Sequence, residues 1–238
     1  PPPSLPPPPP SLPPPPPLLP PPSVTVSTFA ELKSTLAGTI PEIRLVAGTY
    51  QVTSTLAVAR SVIITAVVAG ESGVLDGQDA VQVMAINGSA NERINVQLGG
   101  LSITGGKIIT ANGGGILVQD SDVKFTGCNI YSNTVYNPDG GGGNGGGVCI
   151  EGESTAAFIN CHISMNKAFY GGGVSIQGGN GTSLVRCQFV ANQPSGFPDL
   201  NGGGGGGVFI NISATVSFAR CEITSNRAYY GNGGGVSI

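Results

Sequence analysis

A single periodic motif restricts this chain more than any other feature of its sequence. GGGILVQDSDVKFTGCNIYSN starts at Gly113, GGGVCIEGESTAAFINCHISMN at Gly145, GGGVSIQGGNGTSLVRCQFVAN at Gly171 and GGGVFINISATVSFARCEITSN at Gly205; a fifth unit opens as GGGVSI at Gly233. Each complete unit keeps one C-x4-N interval, pairing Cys128 with Asn133, Cys161 with Asn166, Cys187 with Asn192 and Cys221 with Asn226. Distances between successive cysteines vary because extra residues enter at one place, between the Asn and the next GGG, as in VYNPDGGGGN and QPSGFPDLNGG. Insertions confined to one corner describe a coil with loops on one side. The alternating runs V-x-I and C-x-I are too short for helices and too interrupted by glycine for long hairpins. Stacked in register they give parallel strands about 4.8 Å apart around a narrow apolar core.

The expected fold is therefore all-β: a right-handed single-stranded parallel β-helix. Residues 23–238 make the solenoid, with an N-terminal cap and degenerate coils over 23–112 and regular repeats over 113–238, where the last coil is incomplete. At roughly 25 residues per coil, about eight coils would form a rod near 40 Å long. QLGGLSITGG fits the template with Gly100 in the cysteine column and Gly105 in the asparagine column. Further upstream, Thr28-Phe29-Ala30-Glu31 has the S/T-x-x-E spacing of a capping box and predicts a short helix from Phe29 to Leu36, ended by Gly38. EIRLVAGTY, TLAVARSVIITAV and GVLDG read as short strands, so the helix would cap the first coil.

Composition narrows the function. The chain has 39 Gly, 20 Pro, 10% charged residues, no Trp and a formal charge of -3, which excludes an ordinary helical or doubly wound domain. No stretch approaches ~18 uninterrupted apolar residues, so no membrane-spanning helix is expected. Scattered single Lys and Arg residues argue against nucleic acid as a partner. Residues 1–22, PPPSLPPPPPSLPPPPPLLPPP, form a separate segment whose consecutive prolines favour a polyproline II rod of roughly 70 Å, at about 3.1 Å per residue. With no initiating Met or signal peptide, and a stop partway through a repeat, the chain reads as a fragment or processed segment.

Within the repeat, the GGG corner permits tight turning where a Cβ would meet a neighbouring coil. The asparagine column is expected to be a buried ladder of amides bonded to one another and to turn backbone, each bond worth on the order of 1 kcal/mol. Cys128, Cys161, Cys187 and Cys221 share the inward face with Ile130, Ile163, Phe189 and Ile223 and read as stacked thiols, disulfides between coils being the alternative. Cys149 stands in the outward column of Leu117, Ser175, Phe209 and Ser237, open to intermolecular pairing or half-covered. His162 is the sole histidine, so no cysteine–histidine zinc site is expected. Asn87, Asn180 and Asn211 head N-x-S/T sequons and are N-glycosylation candidates. Asp120 and Asp122 fall near the template positions of Glu151 and Glu153, which would allow weak calcium binding; a solvated turn is the plainer reading. No other cofactor is expected, and no carboxylate pair with a supporting Arg or His recurs. Phe169, Tyr170, Tyr229 and Tyr230, ahead of GGG at two equivalent corners, are candidate sugar-stacking aromatics, with covering of the turns as the plainer reading.

IYSN, ISMN, FVAN and ITSN, followed by GGGV, resemble the FxxN and GGAI repeats of chlamydial polymorphic outer membrane proteins, a pattern also found in algal surface proteins. VAGTY and GVLDG resemble the first coils of pectate-lyase-like β-helices, but the catalytic motifs of the polygalacturonases and lyases are missing, so no catalytic residue carries over. The proline tract is similar to those of extensins and pherophorin-like proteins. That resemblance implies hydroxylation and O-glycosylation among Pro1, Pro2, Pro3, Ser4, Pro6, Pro7, Pro8, Pro9, Pro10, Ser11, Pro13, Pro14, Pro15, Pro16, Pro17, Pro20, Pro21 and Pro22. Together these features lead us to expect a non-enzymatic structural glycoprotein of a cell wall, matrix or surface fibre, outside the cell, with covalent glycans and with self or related chains as partners. An adhesin or carbohydrate-binding protein is the alternative, and a polysaccharide lyase or hydrolase a third.

Overall fold

The computed structural model describes residues 21–68, 72–89, 91–137, 142–195, 204–228 and 233–238. The tract from Pro1 to Pro20 lies outside them, while Pro21 and Pro22 are exposed. Every paired strand in the three long sheets is parallel to its neighbours, and the sheets hold eight, seven and seven strands. One coil shows the plan: Ile94–Gly99 lies in sheet 1, Ser102–Thr104 in sheet 2 and Ile116–Gln119 in sheet 3. Then Ser121–Thr126 begins the next coil directly against Ile94–Gly99. Eight rungs of sheet 1, from Ser23–Val26 to Thr215–Ala219, match the number of coils that the repeat length implies.

Side chains alternate along each strand, so one column per strand position faces inward. In sheet 1 the inward column runs Leu98, Phe125, Phe158, Leu184, Phe218, with the rings of Phe125 and Phe158 stacked at 4.5 Å and 6°. Sheet 2 contributes Leu75, Ile103, Ile130, Ile163, Phe189 and Ile223. Sheet 3 supplies Met84, Ile116, Val148, Val174, Val208 and Val236. β-branched and aromatic residues dominate because they fill a pleated, close-packed interior without losing much rotamer freedom.

The helix spans Phe29–Leu36, as its capping box predicts. Thr28 Oγ1 accepts from Glu31 N at 3.2 Å, and the Glu31 carboxylate accepts from Thr28 N at 3.1 Å and Ser27 N at 2.8 Å. Leu32 and Leu36 are buried against the first coil. At the other end of the helix, Arg60 Nε and Nη2 donate to the carbonyls of Leu36 and Thr35 at 3.1 and 3.2 Å, satisfying acceptors that the last turn leaves free.

One alignment differs from the sequence expectation. Asn129 pairs with Ser102 and Ile130 with Ile103, which puts Leu101 in the cysteine column and Gly106 in the asparagine column, one residue beyond Gly100 and Gly105. Leu101 is fully buried, whereas Gly100 and Gly105 take the positive-φ turn positions on either side of the strand. A one-residue slip would have turned Ile103 out of the core.

Candidate functional site

The most ordered polar feature is the column Asn133, Asn166, Asn192, Asn226 at the turn out of sheet 2. Asn133 N and Nδ2 both donate to Asn166 Oδ1 at 3.0 Å; Asn166 repeats this with Asn192 Oδ1, and Asn192 with Asn226 Oδ1. Each Nδ2 also donates to a carbonyl of the preceding coil, in order Ile103, Ile130, Ile163 and Phe189, at 2.8–3.0 Å. The ladder begins where Gly106 N donates to Asn133 Oδ1 at 2.8 Å. These amides are consumed by backbone and by one another, so the column is architecture.

The adjacent GGG corner divides its work. In the four complete units only the first glycine of the triplet, Gly113, Gly145, Gly171 or Gly205, has positive φ. At the third glycine, a Cβ on Gly147 would sit 2.6 Å from Gly173 O and 3.1 Å from Asn166 Nδ2, so the triplet leaves room for the ladder.

All five cysteines are thiols. Cys128, Cys187 and Cys221 donate to the carbonyls of Leu98, Phe158 and Leu184, one coil back, at 3.4, 3.4 and 3.2 Å. Cys161, hydrogen-bonded to Cys128 and Cys187 and buried among them, has its pKa driven upward and keeps its proton. Cys149 corrects the sequence expectation. It does stand in the column of Leu117, Ser175 and Phe209, yet it is fully buried. A second layer roofs that face: Asn112 Nδ2 bonds Glu151 Oε1, which lies 3.4 Å from Cys149 Sγ. Burial, then the neighbouring Glu151 carboxylate, pushes the Cys149 thiol well up, which disfavours the nucleophilic thiolate.

Further along the same roof, Tyr170 packs on Phe209 at 4.8 Å and Phe169 meets Tyr170 edge-on at 4.8 Å. Phe169 and Tyr170 are half-buried, engaged with protein rather than standing free, while Tyr229 and Tyr230 lie outside the described residues.

The carboxylates Asp120 and Asp122 lie close to, but not at, the register positions of Glu151 and Glu153. Gln119, not Asp120, faces Glu151, and Asp122 faces Thr155. Asp120 Oδ1 accepts from Glu153 N at 3.0 Å; Asp122 takes the Arg93 guanidinium and the Thr155 hydroxyl. Among the described residues no group of three His, Cys, Asp or Glu side chains could hold a metal ion. His162 Nδ1 lies 3.1 Å from Gln188 Oε1 on the outer face of sheet 2, and Gln188 Nε2 donates to Glu222 at 3.0 Å.

The sequons gather at one corner, the turn from sheet 3 to sheet 1. Asn87 ends the strand Met84–Asn87 and is exposed. Asn211 follows Val208–Ile210 and accepts from Ser213 N and Oγ at 3.3 and 3.2 Å, beside an Ile212 that is 89% exposed. Asn180 opens the strand Asn180–Val185. Sequence reasoning missed a basic column at the opposite turn, formed by Lys107, Lys167 and Arg227. Its signal is local: each of the last two follows a ladder asparagine directly.

Among the described residues no helix is long and apolar enough to cross a membrane. Comparison with known families matches residues 74–238 to the family described as "Right handed beta helix region". No curated protein and no solved structure matches the chain.

Proposed function

Since this chain belongs to the right-handed β-helix family, we propose that it is a structural extracellular glycoprotein, a scaffold unit of a wall, matrix or surface fibre. The observation that carries this reading is the gathering of all three sequons at the turn from sheet 3 to sheet 1, where Asn87 is exposed and Ile212 projects beside Asn211. Glycans there would occupy one ridge and leave sheet 2 and its flanking turns accessible. Within the family, we read the repeats as being of the polymorphic-outer-membrane-protein type and the sequence from Pro1 to Pro22 as an extensin-like tract that carries hydroxyproline and O-glycans. The proposed role is non-enzymatic, a reading supported by the structural partners that Asp120, Asp122 and Glu151 each hold. Self or related chains are its assembly partners.

Glycopeptide mass spectrometry on native material tests the reading. Hydroxyproline glycans between Pro1 and Pro22, with occupancy of Asn87 or Asn211, are expected. Unmodified prolines together with empty sequons would overturn it. Recognition of external carbohydrate is a second reading, favoured by the basic column opposite the sequons.

A further inference from the structure

The chain carries net negative charge, yet five of its ten cations, Lys107, Lys167, Arg186, Arg220 and Arg227, border sheet 2. Three of them share a column at the turn out of that sheet. Lys107 pairs with Thr134, bridges join Thr134 to Lys167 and Lys167 to Gln193, and Arg227 N donates to Asn192 O as Gln193 N does to Asn166 O. The order is therefore Lys107, Thr134, Lys167, Gln193, Arg227. Cations recur at every second coil, about 9.6 Å apart for rungs of about 4.8 Å. Lys167 and Arg227 are exposed and Lys107 half-exposed, and the ion pairs among the described residues, Arg44–Glu42 and Arg93–Asp122, involve none of them.

Along this column lies a groove of about 520 Å³, lined by Ser132, Thr134, Met165, Lys167, Ala191 and Gln193, with Asp79 at one end; of the three cations Lys167 lines it, and Lys107 and Arg227 flank it along the column. Asp79 and Lys107 both line the adjoining depression. Among the described residues no other carboxylate lines the groove. Met165, 52% exposed, offers an apolar surface, and Ser132, Thr134 and Gln193 offer hydroxyl and amide groups.

These features describe a linear ligand with an apolar ring face, many hydroxyls and widely spaced negative charge. Nucleic acid does not fit, because duplex phosphates follow one another at about 3.4 Å along each strand, far more densely than the cations here. The two-coil interval is close to the length of two linked pyranose rings in an extended chain. We propose that this groove binds an anionic polysaccharide bearing about one carboxylate or sulfate group per two sugars. This names a partner for the scaffold described above and rests on that reading for the setting in which such a polymer is met.

Binding is measured by titrating the full recombinant chain, without glycans, with hyaluronan and κ-carrageenan, which carry a carboxylate and a sulfate group respectively on every second sugar, and with neutral dextran and duplex DNA, at several salt concentrations. We expect binding of one or both charged polysaccharides that weakens with salt; the tighter of the two identifies carboxylate or sulfate as the recognised group. K167E/R227E should weaken it by about tenfold or more and lower the salt slope by about two, one for each lost contact. The same loss is expected for K167Q/R227Q, with circular dichroism confirming the fold. R186E/R220E, at the other border of sheet 2, should change affinity by less than about threefold. Wild-type affinity in K167E/R227E, an equal loss in R186E/R220E, equal binding of neutral dextran, or tighter binding of duplex DNA would each overturn the proposal. Because the chain tested bears no glycans, its failure is distinct from a failed glycan map.

Discussion

At its N-terminal end the solenoid core is closed by the strand Ser23–Val26 and the helix Phe29–Leu36, whereas in the coil holding Thr215–Ala219 and Glu222–Thr224 the same kinds of residue lie partly open. The Tyr50 hydroxyl, at the closed end, donates to Val26 O at 2.7 Å inside the cap. Near the other end, Phe218 is 38% exposed although Phe158, two coils back in the same column, is fully buried. Cys221, Ile223 and Asn226 are likewise half-buried where Cys187, Phe189 and Asn192 are fully buried. The repeat sequence is nearly constant across these coils, so burial is conferred by the neighbouring rung. Stability in such a molecule is a property of the interface between repeats, and the cap substitutes a helix for a missing neighbour.

That comparison is broken most sharply by paired substitutions in one column. Phe158→Ala should cost about 4 kcal/mol in urea denaturation, since it removes a buried ring and its stack on Phe125. Phe218→Ala should cost about 1 kcal/mol, because much of its ring is already wet. Equal costs would mean that the two coils are packed alike. Next in size, Asn166→Ala is expected to cost about 3 kcal/mol by stranding buried groups on both neighbouring coils. Asn226→Ala, in a half-buried site, should cost about half as much. Amide hydrogen exchange would separate the two, with Asn166→Ala deprotecting coils on both sides.

A smaller effect of opposite sign is expected at Thr182. It is buried in a column with Ala156 and Val216, and among the described residues its hydroxyl has no hydrogen-bond partner. Thr182→Val should stabilise the solenoid by about 1 kcal/mol, and an unchanged or lower Tm would show that the hydroxyl is satisfied in solution. The smallest effect concerns the cap. Hydrogen bonds from the Ser27 backbone and hydroxyl, then from Thr28, hold the Glu31 carboxyl below its ordinary range. A folded pKa below the unfolded value of about 4.3 stabilises the protein fully above that pH, and the contribution is lost as pH falls through the folded value. The Tm difference between wild type and E31Q should therefore shrink between about pH 6 and about pH 3. A difference that stays constant with pH would remove Glu31 from the account.

Much of the architecture was legible in the sequence because it depends on local rules. Thr28 and Glu31 announce the helix through side chains that reach only their own first turn. The C-x4-N interval marks two columns because Cys and Asn are rare enough to stand out. Gly100 was misassigned for the converse reason: with Leu101 in place of Cys and Gly106 in place of Asn, two adjacent glycine pairs fit the template one residue apart. Only the burial of Leu101 separates the registers. The burial of Cys149 was not legible, since its thiol meets Glu151, which is held in turn by Asn112 from the coil before, and alternation along a strand knows nothing of a second layer. The basic groove stayed hidden because Lys167 and Arg227 lie in different repeats and become neighbours only through stacking.

The asparagine ladder acts as an indexing device. Segments of different length separate one asparagine from the next glycine triplet, yet each coil returns to the same two-donor contact with the amide of its neighbour. An error in threading one loop is thereby cancelled at the next tooth and cannot accumulate along the rod. The corner that carries the loops is free to change its length and chemistry while the alignment of every sheet is preserved, so new surface can be added to this scaffold without redesigning its interior.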